Sequence, residues 1–240
     1  MSEEVAEQLL TAPITVHGRI VSASNHTMLV ELDAGDDGVL AVYKPQQGER
    51  PLWDFEYGSL HRREVAAYEV SRHLGWEVVP PTVLRDGPLG EGSVQLFIEH
   101  DPRRHYFVLL EDDDHDEALA RMAAFDLLVN NADRKAGHVL LAADDHIWGC
   151  DHGLTFHVEP KLRTVIWEFG GMTLDPSWCE DLRRLAADLS APEQPPASHL
   201  QALLSPPEVA MLARRALALA TSGMLPDPPE EERPYPWPPI

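Results

Sequence analysis

Apolar residues along this chain come in short runs divided by polar turns as far as the hundreds, and in longer stretches with helical spacing beyond. Residues 1–12 read as a short amphipathic start closed by Ala12-Pro13. Ile14–Val21 and Met28–Leu32 then predict a hairpin around the polar turn Ser22–Thr27, and Val39–Pro45 predicts a third strand after the acidic turn Asp33–Gly38. The loop Gln46–Ser59 carries Trp53, Phe55 and Tyr57, too aromatic for a plain linker, so it packs down or forms a flap. Ala66, Val70 and Leu74 recur every fourth position and Gly75 follows, which predicts a helix over 61–75. Val78–Leu84 and Gly92–Ile98 complete a five-stranded antiparallel sheet with one helix, around a turn spanning Arg85–Glu91.

Beyond residue 100 the pattern is helical. Glu117–Val129 is apolar nearly all round at its end and must be buried, so Asp126 within it is expected to tie down the loop that follows. The acid run Glu111–Glu117 suits the solvated start of that helix. Val139–Ala142 and His146–Cys150 predict a hairpin around Asp144-Asp145. Pro176–Ala191 and Pro206–Ser222 predict amphipathic helices separated by a proline-rich linker, Pro192–Ser198. Seven prolines make 226–240 an extended tail.

Composition narrows the function classes. A chain of 240 residues can bury a substantial core as one large or two-lobed domain. A formal net charge of −21 opposes binding to nucleic acid or to an anionic membrane surface. No run of about 18 apolar residues is present, and the start Met-Ser-Glu-Glu-Val is acidic where a secretory signal is basic, so a cytoplasmic protein without membrane insertion is expected. Two cysteines, Cys150 and Cys179, provide no disulfide framework.

The candidate chemistry lies in Asn130–His138 and Cys150–Gly153. A polar loop after a buried helix, then a short hairpin, brings Asp133, His138 and Asp151 within reach of one point. Two carboxylates and an imidazole there can hold a divalent cation and aim a hydroxyl at a phosphate. Lys44 ends the third strand and Glu64 follows 20 residues later on a helix, placed to hold that lysine. At about 4 Å and an effective dielectric near 20 such a pair attracts by roughly 4 kcal/mol before desolvation. Glu64 itself is read in the first helical turn, where the dipole favours an acid. Ser24 and Asn25, in the turn of the first hairpin, leave backbone N–H groups free to approach an anion, and the stretch around Glu99–Pro102 can offer its backbone to an adenine edge. Each feature alone also has an ordinary reading as a turn, an ion pair or a hydrogen-bonded loop histidine.

Asn131-Ala132-Asp133-Arg134 after a buried helix, and Cys150-Asp151-His152-Gly153 after a hairpin, resemble the catalytic and metal-binding loops of the phosphatidylinositol 3-/4-kinase-related branch of the protein-kinase-like superfamily, in particular its bacterial members. Lys44 and Glu64 stand in the superfamily's lysine–glutamate order, and the resemblance covers residues 14 to 220 or so. It implies an α+β, two-lobed protein-kinase-like fold: a β-rich nucleotide lobe over 1–99, a helical catalytic lobe over 100–225 and the tail 226–240. It also implies an ATP- and Mg²⁺- or Mn²⁺-dependent phosphotransferase. The expected catalytic residues are Asp133 and Arg134; Lys44, Glu64, Ser24, Asn25, Phe97, Ile98 and Glu99 are expected around the nucleotide, and Asp151 with His138 at the metal. Two departures stand out: His138 occupies the position where the family usually has Asn, and the turn Ser22–Thr27 lacks the glycine-rich pattern of ordinary protein kinases, which agrees with the lipid-kinase-like branch. In addition, no basic or amphipathic membrane face accompanies the −21 charge. The acceptor is therefore expected to be a protein or a small-molecule hydroxyl. Two alternatives stay open, a nucleotide-binding pseudokinase and a metal-dependent hydrolase, the latter weakened by the lack of a His-x-x-x-His ligand spacing.

Overall fold

A computed structural model of the chain describes residues 3–20, 25–33, 38–229 and 233–240. The first half holds helix α1 (Glu3–Thr11), strands β1 (Ile14–Arg19), β2 (Met28–Leu32) and β3 (Val39–Pro45), helix α2 (Leu60–Leu74), and strands β4 (Thr82–Gly87) and β5 (Gly90–Leu96). The five strands form one sheet in the order β1-β2-β3-β5-β4, antiparallel at every pairing. Alternation drives it: Val30, Leu32, Ala41, Tyr43 and Val94 turn inward, and Leu9 of α1 with Ala12 just after it cover them. Arg85 donates to the carbonyls of Leu9 (3.1 Å) and Ala12 (2.9 Å), placing a cation at the C-terminal end of α1, where the helix leaves carbonyls unpaired.

Strands β4 and β5 are set later and earlier, respectively, than the sequence predicts, because the connection is a tight Gly87-Pro88-Leu89-Gly90 turn and not the longer Arg85–Glu91 one. Gly90 has φ +89°, a conformation that costs a glycine nothing and would strain any other residue. Helix α2 begins at Leu60 after Ser59, so Glu64 lies in its second turn; the expected first-turn dipole role is corrected, since no acid occupies that turn. Gly75 ends the helix in the left-handed region, as its place in the sequence predicts.

The second half contains α3 (Tyr106–Leu109), α4 (Asp116–Val129), the hairpin β6 (Val139–Leu141) and β7 (Ile147–Gly149), α5 (Pro176–Asp188), α6 (Ala197–Gln201) and α7 (Pro206–Ser222). Helix α6 begins at Ala197, inside the stretch Pro192–Ser198 read as a proline-rich linker, and runs past its end. Helix α4 is the centre of the larger core, with Leu119, Met122, Phe125 and Leu128 sealed from solvent beside Leu182 and Leu185 of α5 and Leu212 and Ala216 of α7. Ala66, Ala67, Val70 and Leu74 of α2 belong to that same core. Helix α2 is therefore packed onto the second half. Among the described residues, no helix is long and apolar enough to cross a membrane.

An ion pair fixes that packing. Arg63 of α2 donates to Glu208 Oε1 of α7 (2.6 Å) and to the carbonyl of Thr155 (2.7 Å), while Glu208 Oε2 accepts from the backbone N–H and hydroxyl of Ser205 at 2.8 and 2.7 Å. Burial pushes the Glu208 carboxyl up, but the Arg63 charge and the Ser205 bonds outweigh it and hold the group below its ordinary value. A carboxylate depressed in the folded state stabilises above its unfolded pKa, about 4.3, and loses that contribution as pH falls through the folded value. Urea midpoints of wild type should therefore drop on acidification more steeply than those of Glu208→Gln. Parallel acid limbs would mean this carboxylate is not protonated in the transition.

Candidate active site

The site is built where the sheet, α2 and the loop after α4 meet. Helix α4 ends on Asn130, in the left-handed region at φ 55°, and its side-chain amide donates to the carbonyls of His157 (2.9 Å) and Glu159 (2.7 Å). Asn131 donates its amide to Asp126 Oδ1 (2.9 Å) and accepts from the backbone N–H of Asp133 (3.0 Å). Asparagine suits both places because it tolerates positive φ and caps backbone locally. The result is a loop that delivers Asp133, half-buried, into the cleft.

Lys44 reaches from the end of β3 and donates to Glu64 Oε1 and, at 2.9 Å, to Asp151 Oδ1. Glu64 Oε2 accepts in turn from the backbone N–H of His152 at 2.9 Å. Asp151 holds a positive φ of 59°, an energetically raised conformation that Asp tolerates better than most, and the Glu64 bond to the next amide fixes it. Lys44 holds the Asp151 carboxyl far below the usual range against the opposing effect of burial. Burial disfavours the Lys44 ammonium, yet Asp151 and Glu64 overcome this and keep it charged. Glu64 goes the other way, because its own burial outweighs the lysine.

Two cavities open on either side of this lysine. One, of about 500 Å³, is walled by Val42, Pro80, Phe97, Ile98 and Leu140 and ends on Lys44, Asp133, His138 and Asp151. The other, of about 280 Å³, is lined by Asn25, Thr27, Glu49, His61 and Leu154 with Lys44, Asp133 and Asp151 again at its floor. The shared floor means that molecules in the two cavities would meet at Asp133. Burial lifts the Asp133 carboxyl, Lys135 opposes, Asp151 adds to the rise, and the group sits at about 6. That value suits a base working near neutral pH. Lys135 Nζ stands 3.5 Å from Asp133 Oδ2.

His138 Nε2 faces Asp151 Oδ2 at 3.5 Å, and its Nδ1 accepts a long 3.4 Å bond from the Lys135 amide. Burial brings the imidazole down to about 4, with Asp151 opposing and Arg134 and Lys44 assisting, so it is neutral at physiological pH. Among the described residues, no cluster of three or more His, Cys, Asp or Glu side chains forms a metal cage. Two ligands, one carboxylate and one imidazole, fit an ion that takes the rest of its shell from phosphate oxygens and water. Taking a cation at Nε2 requires that the ring proton leave that nitrogen. Cys150, next to Asp151, is no nucleophile: burial and the neighbouring carboxylate push its thiol to about 12.

Lys44, Glu64, Asp133, His138 and Asp151 are thus brought together as their order in the chain suggests, and Phe97, Ile98 and Asn25 line the cavities. Three expected site residues differ. Ser24 lies outside the described residues. Glu99 is exposed and does not line either cavity, because the chain leaves β5 with Phe97 and Ile98 turned inward instead. Arg134 does not face the cleft at all: it has no exposure, and its guanidinium is spent on Asp126, the carbonyl of Cys150 (2.7 Å) and His152 Nε2 (2.6 Å). It is corrected from a catalytic to a positioning residue. Sequence reasoning missed Lys135, Glu49 and His61. Lys135 was adjacent to the named motif and its charge two residues after Asp133 was the available signal; Glu49 and His61 sit in a loop and a helix start with no local pattern to mark them.

No protein-family model matches the chain. Among solved structures, the golgi casein kinase aligns with 91% of this chain and 74% of its own at a TM-score of 0.56 and 17% identity. That likeness is one of fold: an α+β architecture with an antiparallel five-stranded sheet and a helical half. The Helicobacter pylori proinflammatory kinase CtkA aligns with 90% of this chain and 94% of its own at 14% identity and a TM-score of 0.45. In sequence the chain is 41% identical to Protein Rv2133c of Mycobacterium tuberculosis, across 96% of this chain and 93% of that protein, and it belongs to the same family.

Proposed function

We propose that the chain is an ATP- and divalent-metal-dependent phosphotransferase of the phosphatidylinositol 3-/4-kinase-like type, acting in the cytoplasm on a hydroxyl of a protein or small molecule. The observation that carries this reading is Lys44 held between Glu64 and Asp151, with Asp133 at the shared floor of two cavities. Residues 1–99 act as the nucleotide lobe, 100–225 as the catalytic lobe and 226–240 as a tail. The adenine lies in the apolar cavity against Val42, Ile98 and Leu140, and Lys44 meets the phosphates. Asp133 orients the acceptor hydroxyl from the other side and takes its proton as the acceptor oxygen bonds to the γ-phosphorus and the bond to the ADP oxygen breaks. Asp151 and His138 would hold the divalent ion, which neutralises phosphate charge when bound. A pseudokinase is the second reading, favoured by His138, because imidazole is a softer partner for magnesium than oxygen is.

Thermal shift with ATP tests the site directly. ATP with Mn²⁺ should stabilise the wild type by roughly 2.7 kcal/mol at a hundredfold excess over Kd, and Mg²⁺ should do less. Asp151→Asn should remove the metal dependence, and His138→Asn should raise the Mg²⁺ response relative to Mn²⁺. Absence of stabilisation by ATP with either ion would sink the nucleotide reading; an unchanged metal preference in His138→Asn would remove that residue from the metal site.

A further inference from the structure

The proline-rich segment 233–240 does not trail away from the body. Pro234 O accepts from the backbone N–H of Thr164 (2.9 Å) and from the indole of Trp167 (3.2 Å), and Pro239 O accepts from the backbone N–H of Ala136 (2.8 Å). Both backbone targets belong to one small unit. Arg134 and Thr164 form a parallel bridge in which Arg134 N donates to Arg163 O (2.9 Å) and Val165 N to Arg134 O (3.1 Å). Ala136 stands between Asp133 and His138, the candidate base and the candidate metal ligand. Pro236 is buried, whereas Trp237 is 88% exposed. Pro238 and Ile240 line the same 500 Å³ cavity as Lys44, Ile98 and Asp151. Proline has no N–H to offer and a fixed φ, so Pro234, Pro236, Pro238 and Pro239 act only as backbone acceptors and present their carbonyls from a stiff backbone. All three bonds run in that direction.

We propose that residues 233–240 are a positioning segment of the nucleotide site: Pro239 braces the Asp133–His138 loop through Ala136, and Pro238 with Ile240 walls the nucleotide cavity. The wall rests on the phosphotransferase reading above, whereas the brace does not depend on any ligand. Removal of the segment frees the Ala136 amide, leaves the loop with one fewer anchor, and opens the cavity to water beside Lys135.

Amide exchange and ATP binding separate the two parts. The full chain, a variant lacking 233–240, the double variant Pro238→Ala/Ile240→Ala and Trp237→Ala are compared. In the nucleotide-free proteins, the Ala136 amide should exchange roughly tenfold or more faster in the shortened chain, the effect of losing one protected hydrogen bond. It should be unchanged in the double variant, which keeps the Pro239 carbonyl. ATP affinity with Mn²⁺ should fall about tenfold in both, the scale of a few buried methylenes, and stay at the wild-type value in Trp237→Ala. Equal Ala136 exchange with and without the segment overturns the brace; equal ATP affinity in the double variant and wild type overturns the wall, including where the shortened chain fails to fold. A full chain that binds no ATP, yet shows the Ala136 change, refutes the phosphotransferase reading and the wall and leaves the brace standing.

Discussion

On the phosphotransferase reading, Asp133→Asn should lower phosphoryl transfer by about 10²–10⁴-fold while leaving ATP affinity near the wild-type value. Asn keeps the shape of the side chain and its place at the floor of the two cavities, but it cannot take the acceptor's proton. The carboxyl it replaces sits at about 6, raised by burial with Asp151 against Lys135, so at neutral pH it is ionised and still basic enough to be useful. On the phosphotransferase reading the nucleotide would be held elsewhere, at Lys44 and along Val42, Ile98 and Leu140, which line the larger cavity. A loss confined to turnover is therefore the signature of a base, as opposed to a nucleotide-holding group. Radiolabelled ATP consumption and self-phosphorylation in the presence of Mn²⁺, measured beside ATP affinity, provide the two readouts. Equal rates in wild type and Asp133→Asn would remove Asp133 from the chemistry. If those equal rates were both zero while ATP still bound, the pseudokinase reading would be the one left.

The parts of the chain that could be read in advance are those whose information is local. Strand β3 and helix α7 fall where their periodicity puts them, at Val39–Pro45 and Pro206–Ser222, because alternation and a Ser205-Pro206-Pro207 start are complete signals within a few residues. Helix α3, four residues long at Tyr106–Leu109, is too short for any period to show. The order Lys44, Glu64, Asp133, Asp151 was legible because it depends on sequence order alone, and the structure puts the first two and Asp151 in one hydrogen-bonded chain. What was not legible is direction. Nothing in Asp133-Arg134-Lys135 says which of the two cations turns inward; the answer depends on Asp126, one helix turn before the loop, whose buried carboxylate captures the arginine. The tail was hidden for a similar reason: its bonds are made by proline carbonyls to Thr164 and Ala136, and no side-chain pattern records them.

That buried arginine leads to the largest stability effect expected in the molecule. Asp126 and Arg134 are both without exposure, with Nε 3.1 and 3.0 Å from the two carboxylate oxygens and Nη2 2.9 Å from Oδ1. Asn131 adds a bond to the same carboxylate. Asp126→Ala leaves a guanidinium sealed in the core without its counter-charge, which costs about 3–5 kcal/mol. In a chain of this size that corresponds to a fall in Tm of roughly 6–20 °C. The magnitude reflects the stranded charge and not the net worth of the pair, so removing both partners should be milder. Asp126→Leu combined with Arg134→Met replaces the charges by apolar groups of similar bulk and should recover a large part of the loss. The recovered protein would still lack the contacts that hold the loop: Arg134 to the Cys150 carbonyl and His152, and Asp126 to Asn131. It should therefore regain stability ahead of ATP turnover. Thermal unfolding of the two variants, with turnover measured well below both transitions, decides the matter. A double variant as unstable as Asp126→Ala would show that the cost lies in packing or in Asn131 and not in the unpaired arginine.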